Sequence, residues 1–295
     1  MEQSKQKNKI REMMIMKEKY IEYANKTFKG EALDIVIYNI NKFFDDANID
    51  KTKYSSGEDV YLKKGSYIHG IPNELENFDW IIENGFVGND FTESTQGKNK
   101  IKNSIGMWCI KEDCYLKDYI NYYSGFTITY MIGRGPDSKK ISELIPYHKF
   151  DEVTEKINDN EDIWMYFGEQ TKEVRFIPSL VANKRQIAFI LNMDSEYAKS
   201  MAINDVWTLD IEKECLREFL DYRYFDNFFK DKENRNAQTT DRETAIVFGL
   251  PSKLIEGVFV GRKLESDTEA LNYIKNKLPD CYICNLDGKV IVGNQ

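Results

Sequence analysis

The chain has 295 residues, of which 41% are hydrophobic and 13% aromatic, so it can bury a sizeable core. This composition excludes a largely disordered chain, and no stretch reaches the roughly 20 uninterrupted apolar residues of a membrane-spanning helix. The net charge of −8 excludes a protein whose main task is to wrap around a nucleic-acid backbone, although it permits a local contact with nucleic acid.

The N-terminus and the cysteines bear on location and on metal binding. The first residues lack the apolar block and cleavage site of a secretory signal, so we expect a cytoplasmic protein with no membrane partner, and non-classical export stays open. The five cysteines are odd in number and scattered, which favours reduced thiols. Cys281 and Cys284 have CxxC spacing, but no second pair or clustered histidine completes a zinc site, so we expect strand cysteines and no metal.

Residues 1–60 are predicted to form a helical region. Two amphipathic helices are indicated by apolar residues at helical spacing, which are Ile10, Met13, Met14 and Ile21 in the first helix and Leu33, Val36, Ile37, Ile40, Phe43 and Phe44 in the second. Lys5, Lys7, Lys9 and Arg11 in the first helix could contact an acidic partner, or could simply be a solvated, fraying end. The polar stretch 50–59 is typical of a linker.

Residues 61–295 alternate short strands with helices, which predicts an α+β domain without internal repeats. A strand at Tyr67–Ile71 is followed by a helix that opens at Pro72 and Asn73 and ends at Asn84 and Gly85. The further strands are predicted at 105–110, 125–132, 173–177, 186–191, 245–248, 258–260 and 281–292, the last turning at Asp287 and Gly288 and closing the chain in antiparallel fashion, with helices at 113–123 and 211–219.

Common catalytic motifs are absent from the sequence, including the nucleophile elbow, the P-loop, the zinc-protease motif and the EF-hand. With only two histidines, a histidine site would have to use His69 or His148. His69 ends a predicted strand in Tyr67-Ile68-His69-Gly70, where a histidine is more often structural than functional.

Asp241-Arg242-Glu243 stands where the polar loop 230–241 enters the apolar run 245–248. Such a charged triplet is ordinarily a solvated strand end. Burial of the strand that follows could instead fix the Glu243 carboxylate at the edge of a cleft.

These features occur in the order found in ADP-ribosyltransferases: a strand ending in His-Gly, an aromatic strand and helix, and a late strand that opens with Glu. The chain resembles the diphtheria-toxin and PARP branch of that superfamily, and its ending also resembles the DNA-modifying DarT type. Gly106-Met107-Trp108-Cys109-Ile110 matches the family's Gly-x-Tyr strand, with Trp108 where the family usually has tyrosine. The resemblance covers 61–295 in short pieces, with no counterpart for 140–230.

The resemblance implies an α+β fold with an ADP-ribosyltransferase-like split mixed and antiparallel sheet, flanking helices and an N-terminal helical appendage. It implies NAD as co-substrate, cleavage of the nicotinamide–ribose bond, and transfer of ADP-ribose to an unknown protein, nucleic acid, small molecule or water. Glu243 would be catalytic, and Asp241, two residues before it, would contact the acceptor. The NAD-binding residues would be His69, Gly70, Trp108 and Tyr119, with Tyr123 as the second choice for the tyrosine that stacks on nicotinamide.

Two other interpretations stay open. Trp108 in place of tyrosine favours a catalytically inactive module of the same fold that binds a nucleotide or a protein partner. The second alternative is an unrelated α+β interaction protein, for example a phage or host-defence component, in which His69 and Glu243 lie far apart.

Overall fold

A computed structural model describes residues 2–71, 75–92, 103–110, 112–118, 187–209, 211–220, 225 and 243–294. The described helices are α1 (Glu2–Thr27), α2 (Gly30–Phe43), α3 (Leu75–Asn84), α4 (Asn89–Thr92), α5 (Glu196–Ala202), α6 (Lys213–Leu216), α7 (Arg262–Glu265) and α8 (Thr268–Lys277). The described strands are β1 (Tyr61–Leu62), β2 (Tyr67–Ile71), β3 (Phe86–Val87), β4 (Ser104–Cys109), β5 (Cys114–Tyr115), β6 (Ile187–Leu191), β7 (Glu243–Val247), β8 (Gly249–Leu250), β9 (Ile255–Val260), β10 (Tyr282–Cys284) and β11 (Val290–Val292).

The chain forms two compact units, and both are built from several separate stretches of sequence. Unit 1 comprises residues 1–50, 81–109 and 193–254, and unit 2 comprises 51–80, 110–192 and 255–295. The two predicted N-terminal helices are confirmed as α1 and α2, and they belong to unit 1 together with β4 and β7.

Unit 1 packs helices α1 and α2 beside two short antiparallel pairs of strands, β4 with β7 and β3 with β8. The buried residues of α2 are Ala32, Val36, Asn39, Ile40 and Phe43, whose spacing of three and four places one face of the helix inward. In α1, Tyr20 and Ala24 are buried, and the ring of Tyr20 lies against Phe248 at 5.2 Å between centroids.

The larger group of strands described in unit 2 has the order β11-β10-β9-β6-β2, and β1 and β5 form a separate pair in the same unit. β2, β6 and β9 are antiparallel neighbours, and β10 and β11 form the predicted antiparallel hairpin. The expected antiparallel closing of β9 against β10 is wrong, because these strands pair in parallel. Parallel neighbours need a crossover, and α8 supplies it, beginning at Asp267, whose side chain accepts a hydrogen bond from the Ala270 backbone N–H at 3.0 Å.

The stretch 50–59 predicted as a linker holds little regular structure but is bonded to the C-terminal strands within unit 2. The Gly57 N–H donates to Val290 O at 2.7 Å, and the Tyr54 N–H donates to the Asn294 side chain at 2.8 Å. Thr52 bonds Glu256 in β9. These contacts make the segment a strap across β9 and β11 rather than a free spacer.

Other predicted elements need correction at their ends. The predicted helix 113–123 begins too early, because Cys114 and Tyr115 pair with β1 as strand β5, and the rings of Tyr61 and Tyr115 lie 5.3 Å apart. The predicted helix 211–219 is shortened to α6. The predicted strands 125–132 and 173–177 and the loop 230–241 lie outside the described residues.

Several predictions are confirmed almost to the residue. β2 has the predicted bounds, β4 is displaced by one residue at both ends, and β6 begins one residue late. The helix α3 ends at Asn84 before Gly85, whose φ of 75° suits glycine. The α+β class with a mixed, mostly antiparallel sheet is therefore confirmed. Among the helices in the described part of the chain, none is both long and apolar enough to cross a membrane.

Candidate functional site

The predicted catalytic strand and the predicted aromatic strand are neighbours in unit 1. β4 and β7 run antiparallel, with Trp108 as the Cα partner of Glu243 and Gly106 as the partner of Ala245. Directly opposed residues of an antiparallel pair share one face, and alternate residues of a strand share it too. Trp108, Gly106 and Glu243 therefore occupy positions on one face of the β4–β7 pair.

The other face of this pair is packed into the unit. Met107 and Ile246 are fully buried there, and Thr244 is nearly so. On the first face Trp108 is half-buried and Gly106 is exposed. Ala245 and Val247, which share this face, are fully buried, so the face is open around Trp108 and Gly106 and closed along β7 after Glu243.

The edge of β7 away from β4 is held by the segment after α5. The Val206 N–H donates to Ala245 O at 2.7 Å, and the Ala245 N–H donates to the buried Asp205 carboxylate at 3.1 Å. That carboxylate also accepts from the Trp207 N–H at 2.9 Å. β7 is thus bonded along both edges, which fixes the backbone just after Glu243.

A buried amide from α2 completes the support of β7. Asn39 donates from Nδ2 to Val247 O at 2.6 Å and accepts at Oδ1 from Asn204 Nδ2 at 2.7 Å. Asn39 is completely buried, and Asn204 nearly so. Because buried polar groups bond only in specific geometries, this network sets the position of β7 against α2.

The backbone turns sharply where β7 ends. Phe248 has a φ of 70° and Asn103, at the start of β4, has a φ of 57°, both in the left-handed region. The Phe248 N–H donates to Asn103 O at 2.8 Å, and Asn103 is tied in turn to Tyr23 of α1 and Asp90 of α4. The ring of Phe248 packs edge-on against those of Phe43 and Phe91. This buried turn holds the two strands of the site in register.

The remaining predicted residues divide into two groups. His69 and Gly70 lie half-buried in β2 of unit 2, opposite Phe189 and Ala188 of β6. Tyr119, Tyr123 and Asp241 lie outside the described residues. The structure thus brings Trp108 and Glu243 together, and the approach of His69 to them stays a prediction.

The sequence reading missed Asn39, Asn204 and Asp205, which support the site from behind. Asn39 had a signal: it lies on the same helical face as Val36, Ile40 and Phe43, where an amide is out of place unless it bonds within the core. Asn204 and Asp205 follow α5 in a turn, and no pattern in the sequence marks them.

No group of three or more His, Cys, Asp or Glu suited to a metal occurs among the described residues. The CxxC cysteines are buried beside β9, where Cys281 Sγ donates to Ile255 O at 3.1 Å. Burial raises the pKa of the Cys281 thiol, so it stays protonated at neutral pH. These two residues serve packing between β9 and β10.

Comparisons of the chain with protein-family models, with curated proteins and with solved structures give no match. The described part of the site places Trp108 opposite the backbone position of Glu243, on strands backed by a buried hydrogen-bond network. An acid beside a flat ring suits a ligand with a planar group next to a centre that gains positive charge.

Proposed function

We propose that the chain is an NAD-dependent ADP-ribosyltransferase, with Glu243 as the catalytic residue. The observation that carries the proposal is the register of β4 and β7, in which Trp108 opposes Glu243 and Gly106 lies two positions along the same face. The register brings Trp108 and Glu243 opposite each other although 134 residues lie between them in the sequence.

The proposed reaction breaks the bond between C1′ of the ribose and N1 of nicotinamide. The bonding electron pair leaves with nicotinamide, and a lone pair of the acceptor forms the new bond to C1′ as the acceptor loses a proton. Positive charge develops on the ribose as the bond breaks, and the Glu243 carboxylate stabilises it. A carboxylate in a site partly shielded from water does this more strongly than one in bulk solvent.

The other residues would bind rather than react. The Trp108 ring forms one wall for nicotinamide, since flat aromatic faces bury a flat ring at low entropic cost. By the same resemblance, Tyr119 or Tyr123 forms the opposite wall, and His69 hydrogen-bonds the adenosine ribose. The Gly70 backbone meets the carboxamide, and Asp241 faces the acceptor, whose identity as protein, nucleic acid, small molecule or water we leave to experiment. We place the reaction in the cytoplasm, which the odd number and the scattered positions of the five cysteines favour.

The test is release of nicotinamide from labelled NAD by the wild-type chain and by Glu243→Gln, which keeps the shape of the side chain but removes its charge. We expect release by the wild type and its loss in Glu243→Gln. The matched control is Glu218→Gln, an exposed glutamate of the same unit outside the site, which should release nicotinamide like the wild type. Equal nicotinamide release by all three chains would show that Glu243 takes no part in the reaction.

A second candidate is a binding module of the same fold that holds NAD without turnover, favoured by Trp108 at the position of the family's tyrosine. It predicts saturable NAD binding, no nicotinamide release by the wild type, and an unchanged NAD affinity in Glu243→Gln. Calorimetric titration of both chains with NAD separates it from the enzyme.

A further inference from the structure

Three lysine side chains converge at one corner of unit 2. Lys51 and Lys53 belong to the strap, and Lys275 belongs to the last turn of α8. Lys51 Nζ donates to Cys281 Sγ at 3.4 Å, and Lys275 Nζ donates to the backbone oxygen of the same cysteine at 2.8 Å. The strap and α8 therefore each bring an ammonium group to the residue that leads into β10.

The third ammonium group joins this pair at the end of β11. Lys275 Nζ also donates to Gly293 O at 2.8 Å, and Lys53 Nζ donates to Asn294 O at 3.3 Å. The two carbonyls belong to consecutive residues, so the two ammonium groups are neighbours. Partial burial lowers the pKa of Lys275, and the nearby charge of Lys53 also lowers it. Lys51, Lys53 and Lys275 together form the lysine corner.

A buried amide holds the backbone under the lysine corner. Asn294 is only 7% exposed, and its Nδ2 donates to Thr52 O and to Asp280 O, both at 2.9 Å. Its Oδ1 accepts from the Tyr54 N–H at 2.8 Å. The residues on either side of the strap lysines are thus tied to the start of β10 and the end of β11. A site whose backbone is already fixed loses little entropy when it binds a ligand.

The ammonium groups of the lysine corner are bonded to neutral atoms. In the part of the chain that the structure describes, none of the three lysines forms an ion pair. Asp280 is close enough to act on the charge of Lys275 and raises its pKa in part, and Asp50 precedes Lys51 at an exposed position. The buried Glu256 is bonded to Thr52. The positive charges are therefore open to an anion from outside the chain.

The lysine corner also has hydrogen-bond donors to spare. A protonated lysine has three N–H donors and no acceptor, so the four bonds described above leave several N–H groups without a protein acceptor. A phosphate monoester has a charge of about −1.5 to −2 at pH 7 and three acceptor oxygens, and it bonds to several donors at once. Lysine binds phosphate as a point charge.

We propose that the lysine corner is a binding site for the phosphate group of a small molecule. The net charge of the chain, −8, disfavours an extended polyanion such as nucleic acid, which gains its affinity from many phosphate contacts. A single small anion needs only the local cluster. The proposal goes beyond the transferase function and does not depend on it, since all three lysines belong to unit 2 and the site of Glu243 belongs to unit 1.

Calorimetric titration of the full chain is the direct test, with inorganic phosphate, ribose 5-phosphate and ribose as separate probes and no NAD present. We expect saturable binding of both phosphates and none of ribose. The tighter of the two phosphates identifies the source, either free phosphate or a phosphate carried on an organic molecule. Both affinities should fall between ~0.1 M and ~1 M salt, where the Debye length falls from about 10 Å to about 3 Å.

Lys51→Gln and Lys53→Gln should each weaken phosphate binding about ten-fold, because each removes one charge-assisted hydrogen bond. Lys275 is kept, since its loss would leave the Cys281 and Gly293 carbonyls without their donor. Lys277→Gln is the matched control. Lys277 is in the same turn of α8 but pairs with Asp79 at 3.1 Å, so its loss should leave phosphate binding unchanged.

A variant with the opposite expected effect separates ligand binding from a purely structural role. Asp280→Asn removes the carboxylate that acts on Lys275 and should tighten phosphate binding several-fold. Glu269→Gln, at an exposed position of α8, is its control and should not change the affinity. Lysines that serve only to bond the carbonyls of unit 2 would give no such gain.

Four results would each overturn the proposal. These are no saturable binding of either phosphate, equal binding of ribose and ribose 5-phosphate, an equal loss of affinity in Lys53→Gln and Lys277→Gln, and weaker phosphate binding by Asp280→Asn. Far-UV circular dichroism of every variant confirms that it is folded before its affinity is compared.

Discussion

Glu256 is a carboxylate of β9 that lies almost entirely out of water, with 7% of its surface exposed. Thr52 in the strap donates a hydrogen bond to it at 3.0 Å. Burial raises the pKa of Glu256 above its ordinary value of 4.5, although the bond from Thr52 partly offsets the effect. Proton binding by Glu256 therefore stabilises the folded chain below pH 4.5, and that stabilisation is lost as the pH rises through the folded pKa.

Glu256→Gln should accordingly stabilise the protein at pH 7, where the wild type holds a desolvated charge, by an amount on the order of 1 kcal/mol. The glutamine oxygen can still accept the bond from Thr52. Urea unfolding at pH 7 and near pH 4 measures the difference, which should shrink at the acidic pH. Glu269→Gln at an exposed position of α8 is the control and should show little change at either pH. If Glu256→Gln were less stable than the wild type at pH 7, the ionised Glu256 carboxylate would stabilise the folded chain, which contradicts the prediction.

Strand β7 depends on elements that are distant in sequence, above all on α2 through Asn39. Removal of the Asn39 amide takes away the donor to the buried Val247 carbonyl and the acceptor for the buried Asn204 amide. Each buried polar group that loses its partner costs roughly 1–3 kcal/mol. We expect Asn39→Ala to lower the free energy of unfolding by about 2–4 kcal/mol on this basis. Asn25→Ala is the control, since Asn25 is exposed on α1 and bonds only within its own helix. Equal effects of the two variants would mean that the network does not hold β7.

The short pair β3–β8 follows the turn at Phe248 and closes the region behind the site. An added Cβ at Gly249 would lie 2.0 Å from Phe86 O and 2.9 Å from Val87 Cα, both backbone atoms that cannot move aside. Gly249→Ala should therefore cost about 2 kcal/mol or more, as backbone displacement in a packed core does.

Gly57→Ala gives the comparison for Gly249→Ala. Gly57 has a φ of 92° and open space around it, so only its backbone conformation is strained, at a cost of about 1 kcal/mol. In thermal unfolding, the midpoint temperature of Gly249→Ala should be well below that of Gly57→Ala. The reverse order would contradict the close approach of β3 and β8.

Across the whole molecule, what the sequence predicted correctly had local causes. Alternation in β2, the glycine that ends α3 and the helical spacing in α2 each act within a few residues, and each is found where it was predicted. The pairing of the strands that hold Trp108 and Glu243 joins distant parts of the chain, and local pattern alone could not supply it.

What the sequence did not predict depends on contacts between distant parts of the chain. Cys114 and Tyr115 were predicted to be helical because their partners in β1, Leu62 and Tyr61, are 52 and 54 positions earlier in the sequence, from 114 − 62 and 115 − 61. The parallel pairing of β9 and β10 was missed together with α8, although Asp267 followed by Thr268 is an ordinary helix start. The Asn39 bond to Val247 spans 208 residues. In these segments tertiary packing determines the secondary structure and the strand pairing, and it overrides the local conformational preference of the residues.

We propose that Glu243 acts in breaking the nicotinamide–ribose bond rather than in holding NAD. The most direct test is the single-turnover rate of nicotinamide release at saturating NAD, compared between the wild type and Glu243→Gln. We predict a fall of about 10²–10³-fold in the variant, the usual cost of removing one group that stabilises transition-state charge. A measurable wild-type rate that Glu243→Gln leaves unchanged would contradict the claim, and so would a wild type that binds NAD and never cleaves it.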